Sequence, residues 1–309
     1  MVFKKILQRF GVGGPSVDTI LDRADVQPGG MITGHVNVIG GDHDVDIDEI
    51  ALSLVVRAES EAGDEEYSHN VDFAHTVVNG AFALAAGQEF SLPFQMQVPW
   101  SSPITHVYGQ PLHGMEVGVR TELAVAKAID KGDLDPLRVH PLASQEAVLQ
   151  GFEQLGFGFK TADVETGRIA GLNQELPFFQ EIEYFPPQTH VGRVSEIELT
   201  FVADGAGVNV VLEADRRGGI FGGGGDTYGR FTLSHVEAEN HDWAGAIATW
   251  LDHVAASGGG FGHVDHGHHD AHESSGFGGM VAGAALGVAG GLVAGEVLDE
   301  VFEDEEDED

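Results

Sequence analysis

The stretch VGVRTELAVAKAIDKGDLDP, Val117–Pro136, contains the pattern of a β-strand followed by the chemistry of a turn. Its first part has the two-residue period of a strand with one buried face, and the apolar set is Val117, Val119, Leu123, Val125 and Ile129. Asp130-Lys131-Gly132 predicts a turn, because Asp hydrogen-bonds its own backbone and Gly permits positive φ. Pro136 favours an extended residue before it, so we expect the next extended stretch to begin at Leu137.

Three carboxylates within this turn raise the question of a calcium loop. An EF-hand loop needs a glutamate at its twelfth position, whereas the residue at that spacing from Asp130 is Pro141. We therefore predict a turn or an interdomain connection.

Strand patterns also precede and follow this stretch. They include VQPGGMITGHVNVIGG, with Ile32, Gly34, Val36 and Val38 on one face, and a later run with Ile50, Leu52, Leu54 and Val56 on one face. Short strands separated by Gly, Asn and Pro turns are typical of an antiparallel sandwich. Because the strand series resumes after residue 156, we predict an all-β chain of two tandem antiparallel β-sandwiches with a few short helices.

Two segments have the spacing of amphipathic helices. In SQEAVLQGFEQLG, Ser144 is the candidate N-cap and the apolar face is Val148, Leu149, Phe152 and Leu155. Asn240 is the candidate N-cap of a closing helix, whose buried face would hold Trp243, Ile247, Trp250, Leu251 and Val254. We predict an N-terminal domain over 1–138, a C-terminal domain over 139–255, a hinge near Asp130–Pro136, and a flexible tail over 256–309.

The charge is strongly negative. There are 50 acidic residues against 15 basic ones, for a formal net charge of -35. Nucleic acid is excluded as a partner, because phosphates need a basic face. The chain has no cysteine, which excludes disulfides and thiolate metal sites and fits a reducing, cytoplasmic compartment. The acidic excess in the body of the chain would also fit a salt-rich cytoplasm.

The first ten residues, MVFKKILQRF, combine apolar and basic side chains at helical spacing. One interpretation is a short helix docked on the body, and another is a basic amphipathic foot on an anionic membrane surface. A frayed terminus is the third. The candidate membrane-facing residues are Phe3, Lys4, Lys5, Ile6, Leu7, Arg9 and Phe10.

Composition changes at Ser257, after which a Gly/His-rich linker begins. Its histidines are weak candidates for binding zinc, nickel or copper, because neutral imidazoles suit these metals: His263, His266, His268, His269 and His272. A linker gives no fixed geometry, so a plain spacer is the alternative and we predict no catalytic metal site and no cofactor.

The segment after the linker is uncharged from Phe277 to Gly295, and glycine recurs there at every fourth position. On a helix these residues form a ridge of small side chains that permits close helix packing: Gly279, Gly283, Gly287, Gly291 and Gly295. Three interpretations remain open, namely membrane insertion or association, self-association through this ridge, and a loosely docked tail. The chain then ends in the acidic run EDEEDED.

No catalytic signature occurs in the sequence. It lacks a GxSxG motif, an HExxH motif, a P-loop and a Rossmann fingerprint. The acidic run His43–Glu49 has the alternation of an exposed strand face rather than a metal site. Arg120 and Glu122 are explained equally well by an interdomain polar cluster and by an exposed strand face.

Several runs in order resemble the sporulation-control (SpoOM) family over about residues 1–255. They are PSVDTILD, PGGMITGHV, VPWSSPITHVYGQPL, VGVRTELAVAKAIDKGDLDPLRV, LGFGFKTADVE, LPFFQEIEYFP and VVLEADRRGG. The resemblance implies an arrestin-like fold of two β-sandwiches and a mainly cytoplasmic regulator affecting sporulation and related envelope or division processes. It implies no catalytic residues.

We therefore expect a non-enzymatic intracellular regulator or adaptor that binds unidentified regulatory proteins. The alternative is a membrane-associated scaffold that uses the basic N-terminus and the glycine-rich tail.

Overall fold

The computed structural model describes residues 13–62, 65–126, 131–215 and 227–257. The N-terminal basic segment, the histidine linker, the glycine ridge and the acidic run lie outside these residues. The expectations made for those segments remain predictions.

A three-stranded antiparallel sheet forms one layer of the first half of the chain. It contains β1 (Ser16–Leu21), β3 (Met31–Ile39) and β7 (Glu89–Gln97) in the order β1-β3-β7. The predicted alternation in β3 is confirmed, because Ile32, Gly34, Val36 and Val38 are all buried. This face packs toward the second sheet and forms part of the core.

The second sheet of the first half is built around the long strand β4 (Val45–Ala62). On one side β4 pairs with β5 (Glu65–Asn79) and β6 (Phe82–Leu84), and on the other with β10 (Val117–Val125). Next to β10 lies β11 (Lys131–Val139), followed by the short β2 (Asp25–Val26). The strands β8 (His106–Val107) and β9 (Gln110–Pro111) form a separate hairpin.

The expected turn at Asp130–Gly132 is partly wrong. Asp130 lies outside the described residues, but Lys131 and Gly132 already belong to β11, which pairs with β10 as far as Leu137. The extended stretch therefore begins six residues before Leu137 and is part of the first half's sheet, not a connection between domains. Pro136 is tolerated because no described strand pairs with β11 on its other side before Arg138.

A five-stranded antiparallel sheet dominates the second half. Its strands are β12 (Gly158–Thr166), β13 (Phe178–Phe185), β14 (Glu196–Ala203), β15 (Gly207–Asp215) and β16 (Thr227–Ser234), paired in sequence order. The helices α1 (Ala143–Leu155), α2 (His235–Glu239) and α3 (Trp243–Ser257) pack on one face. The prediction of an all-β chain with a few short helices is confirmed.

The predicted apolar faces of the helices are confirmed, but both N-caps are wrong. Ser144 is buried within α1, where its hydroxyl bonds His235, and the helix is instead capped by the Gln145 side chain accepting from the Leu142 N–H at 2.9 Å. Asn240 ends α2, and the Asp242 carboxylate accepts from Gly245 N–H at the start of α3. A nearby tertiary partner or a better-placed carboxylate displaced each expected cap.

The two halves share one continuous hydrophobic core. Phe73 of β5 meets Phe178 of β13 edge to face at 5.3 Å, and Trp100 stacks on His235 at 5.7 Å. The end of β4 also pairs with β12 through Glu59 and Glu165. The division into domains at residue 138 remains a prediction.

Candidate functional site

The face of the second-half sheet that lies away from the helices carries a dense group of carboxylates. In β12 to β15, apolar residues alternate with acidic ones, so that Ala162, Val164, Ile182 and Leu199 enter the core. The acidic residues between them project from the opposite face, as the two-residue period of a strand requires. The carboxylate face consists of Asp163, Glu165, Glu181, Glu183, Glu196, Glu198 and Glu213.

Two of these carboxyl groups are partly withdrawn from water. Burial, together with the neighbouring Glu198 and Asp163, raises the pKa of Glu181 from 4.5 to about 9. Burial likewise raises the pKa of Glu198 to about 8, with Glu213 as the next cause. Both groups are therefore mainly protonated at neutral pH, because a charged carboxylate would face several others at low dielectric.

Lys160 neutralises the edge of the carboxylate face. Its ammonium group donates to Glu183 and to Glu196, each at 2.5 Å. Burial lowers the pKa of Lys160, but the hydrogen bonds to these two carboxylates outweigh burial and raise it. Lys160 therefore stays charged and holds β12, β13 and β14 together at this edge.

The carboxylate face has the donor chemistry for a hard cation. Oxygen atoms of Asp163, Glu165 and Glu181 lie within 4.8 Å of one another, and so do those of Glu181, Glu198 and Glu213. Carboxylate oxygens suit Ca²⁺ and Mg²⁺. No other feature of the described residues points to an ion, and acidic clusters are common without one. We therefore assign no metal site to the carboxylate face and treat it as a source of electrostatic repulsion.

A polar cleft lies where the first half meets β12. Its volume is about 350 Å³ and its walls carry both signs of charge: Arg57, His113, Gly114, Lys160, Thr161, Ala162, Asp163 and Glu183. Gly114 has φ +93, and a Cβ there would approach the Ala162 carbonyl oxygen to 2.1 Å. Only glycine lets this loop reach β12, where Ala162 N–H donates to the His113 carbonyl at 3.1 Å.

One Ser–His pair resembles part of a hydrolytic site. The Asp204 carbonyl can only accept, so His235 Nε2 donates to it at 2.8 Å and Nδ1 accepts from the Ser144 hydroxyl at 2.8 Å. Ser144 is only 1% exposed and lies in the first turn of α1. A substrate cannot reach this hydroxyl, so the pair joins helices rather than activating a nucleophile.

Among the remaining residues singled out from the sequence, the structure describes Arg120 and Glu122. Arg120 pairs with Asp72 on the surface of the sheet at 2.5 Å, and Glu122 is exposed, so both belong to an exposed strand face. The histidine, glycine-ridge and N-terminal candidates lie outside the described residues. Within the described part of the chain, no helix is long and apolar enough to cross a membrane.

The sequence analysis missed the carboxylate face. Its signal is present as acid–apolar alternation in ADVE, QEIEYF, SEIELT and LEAD, but each run alone predicts a solvent-exposed face. Only the pairing of four such strands side by side brings the acids together and buries Glu181.

The sheet edges differ in how accessible they are to an added strand. Edge strands are commonly protected by proline, by bulges or by shortness. In β7 the edge carries Pro93, and β2 has only two residues. In β5 the pairing with β4 shifts register twice and Ala74 has φ 53. In β1 the Thr19 N–H is already bonded to the Asp133 carboxylate of β11 at 3.1 Å. By contrast, β16 pairs with β15 along eight residues without a register shift, and no described strand covers its other side.

Comparisons with known proteins agree on one family. The SpoOM protein family model matches residues 3–218. The sporulation-control protein spo0M of Bacillus subtilis is 35% identical over 216 residues, covering 70% of this chain and 81% of that protein. The crystal structure of Spo0M from Bacillus subtilis is similar with a TM-score of 0.68 and 31% identity, covering 79% of this chain and 100% of that chain. This neighbour is consistent with an all-β, arrestin-like fold.

Proposed function

The chain belongs to the SpoOM family, and from this premise we propose that it is a non-enzymatic regulator that acts by binding other proteins. Its similarity to a sporulation-control protein supports the regulatory role. The buried Ser144 supports the non-enzymatic part, because the hydroxyl of the Ser144–His235 pair has no path for a substrate.

The unprotected edge of β16 is the observation that carries the proposal. An extended segment of a partner can add to such an edge through main-chain hydrogen bonds. The segment would lie antiparallel or parallel to Thr227–Ser234, with Thr232 exposed beside it. Recognition by the main chain explains how a regulator can bind without a deep pocket.

The rigid junction of the two halves supports an adaptor role. The shared core and the Trp100–His235 stack fix β16 relative to the first-half sheets. A partner on β16 is therefore held in a defined orientation to any second partner on the first half. We propose that this work takes place in the cytoplasm.

Site-specific photo-crosslinking in the host tests the edge. A photoreactive amino acid at Thr232 should give discrete adducts with another protein. The matched control is Thr33, which is also exposed but lies in β3 between β1 and β7. Adducts at neither position, or equally at both, would contradict the proposal.

The second candidate is a membrane-associated scaffold that uses the basic N-terminus and the glycine ridge. It depends on residues outside the described ones, and it stays a prediction.

A further inference from the structure

The β8–β9 hairpin has an unusual residue at its tip. Val107 pairs with Gln110, so the loop is the two-residue pair Tyr108-Gly109, with φ of 50 and 74. Positive φ at both central positions is the requirement of a type I′ turn, which favours Asn-Gly. A bulky side chain in this region is an outlier, and such outliers are concentrated at functional positions.

The ring of Tyr108 is presented on the surface beside the second half. It is 51% exposed, and its hydroxyl hydrogen-bonds Glu153 of α1 with Glu146 close by. Phe159 at the start of β12 is 40% exposed, and its ring meets Tyr184 edge to face at 6.2 Å. We call Tyr108, Phe159, Glu146 and Glu153 the hairpin surface, which joins two exposed aromatic rings to two carboxylates.

We propose that the hairpin surface binds residues 1–12 of a second copy of this chain, giving head-to-tail self-association. This interaction is independent of the β16 edge.

Complementary charge and apolar composition identify the occupant. Residues 1–12 contain Lys4, Lys5 and Arg9, three of the 15 basic residues in a chain with a net charge of -35. Cations pair with carboxylates and also lie favourably over aromatic faces. The apolar residues between these cations can cover the exposed rings. The runs of twelve residues elsewhere in the chain that contain three basic side chains, 120–131 and 127–138, have fewer large apolar residues and carry two and three carboxylates.

Geometry favours a second copy over the same copy. Gly13 accepts a hydrogen bond from Asp42 N–H, just beyond the Ile39 end of β3. The β8–β9 hairpin lies toward the opposite end, because Thr105 N–H donates to the Val139 carbonyl and Val139 pairs with Val26. The nine residues of β3 span about 30 Å, so a segment that leaves Gly13 would have to be largely extended to reach the hairpin of its own chain, whereas a second copy needs no such extension.

Such a contact joins two different surfaces, so it is heterologous. Heterologous contacts build rings or open chains rather than stopping at a symmetric dimer. Wild-type protein should therefore show an average mass that keeps rising with concentration.

A mixing experiment tests the proposal on full-length chains. One variant is Tyr108→Asn, which removes the ring but suits a type I′ turn, so its melting temperature should equal or exceed that of wild type. The other is Lys4→Glu/Lys5→Glu/Arg9→Glu. All chains in this test also carry Gly283→Leu, Gly287→Leu and Gly291→Leu, so that the glycine ridge cannot contribute, and the chain with only these changes serves as the wild-type reference. Analytical ultracentrifugation should find each variant monomeric alone, whereas their equimolar mixture should form a one-to-one complex, because each still provides the surface the other lacks.

The matched control is Ile20→Asn, which alters an equally exposed residue in β1. It should associate like wild type. The proposal is overturned if wild type remains monomeric, if Tyr108→Asn associates as wild type does, if the mixture of the two variants stays monomeric, or if Ile20→Asn loses association as well.

Discussion

The side chain of Gln180 in β13 satisfies both backbone groups of Ile104, a residue of the first half. Gln180 Oε1 accepts from Ile104 N–H at 2.9 Å, and Gln180 Nε2 donates to the Ile104 carbonyl at 2.8 Å. Both residues are buried. Because buried backbone groups need partners, this amide joins the halves at a point where no water can replace it.

Replacing Gln180 with Ala should therefore lower the free energy of unfolding by about 2–4 kcal/mol, since two buried backbone groups lose their partner. Chemical denaturation measures this change. Gln95→Ala, at an exposed position of β7, should change it by less than about 0.5 kcal/mol. Equal effects of the two substitutions would show that the amide does not join the halves.

The carboxylate face predicts that stability decreases as pH rises. The folded-state pKa values of Glu181 and Glu198, about 9 and about 8, lie above the ordinary value of 4.5. Between these values the folded state binds more protons than the unfolded state, so folding is favoured at low pH and this contribution is lost as pH rises. The free energy of unfolding should fall from pH 5 to pH 9.

Glu181→Gln isolates this effect, because an amide does not titrate. In the variant, the slope of the free energy of unfolding against pH should be smaller by up to about 1.4 kcal/mol per pH unit. Glu239→Gln, at an exposed position in α2, should leave the slope unchanged. Identical slopes for wild type and Glu181→Gln would show that Glu181 ionises normally in the folded protein.

The net charge of -35 predicts stabilisation by salt. Carboxylates repel one another in dilute buffer, and counterions screen this repulsion over a length of about 10 Å at 0.1 M. The melting temperature should rise from low to molar sodium chloride, as followed by circular dichroism. A flat or falling curve would mean that the charges are dispersed or already paired.

The glycine ridge predicts self-association through the tail. If residues 279–295 pack as a helix, replacing Gly283, Gly287 and Gly291 with Leu in the Tyr108→Asn variant should abolish the association that remains there, because Leu blocks close approach, as seen by crosslinking or sedimentation. Membrane partitioning should stay the same or increase. Leu at Ala282, Ala285 and Ala289, away from the ridge, is the control. Association that survives in the ridge variant would remove the ridge as a packing surface.

Local patterns predicted much of the fold. The alternation in β3 and the spacing of Val148 and Phe152 predicted the buried faces correctly, because burial on one side of a strand or helix imposes that period. In β4 the predicted face is buried, but Ala51 and Val55 on the other face are buried as well. The caps failed for a tertiary reason, since Ser144 is taken by His235 from a distant part of the chain. The turn predicted at Lys131 and Gly132 is wrong, because the pairing of these residues with β10 overrides their local turn preference.

The candidate surfaces were harder to predict. Glu181 has the sequence context of an exposed residue, and only the assembled sheet buries it. Gln180 is one of several glutamines in strands, and its role depends on where Ile104 lies. The accessibility of the β16 edge is evident only by comparison with the other edges, which carry protecting features such as Pro93 in β7. The turn at Tyr108 could not be predicted either, because Tyr-Gly is not a typical hairpin pair.

The central claim is that a partner protein adds a strand to β16. Hydrogen–deuterium exchange of the chain, alone and with the partner captured at Thr232, tests this most directly. We predict that amides within Thr227–Ser234 become protected in the complex, because outward N–H groups of an edge strand gain acceptors, while amides of β3 do not change. Partner binding with unchanged exchange in β16 would contradict the account.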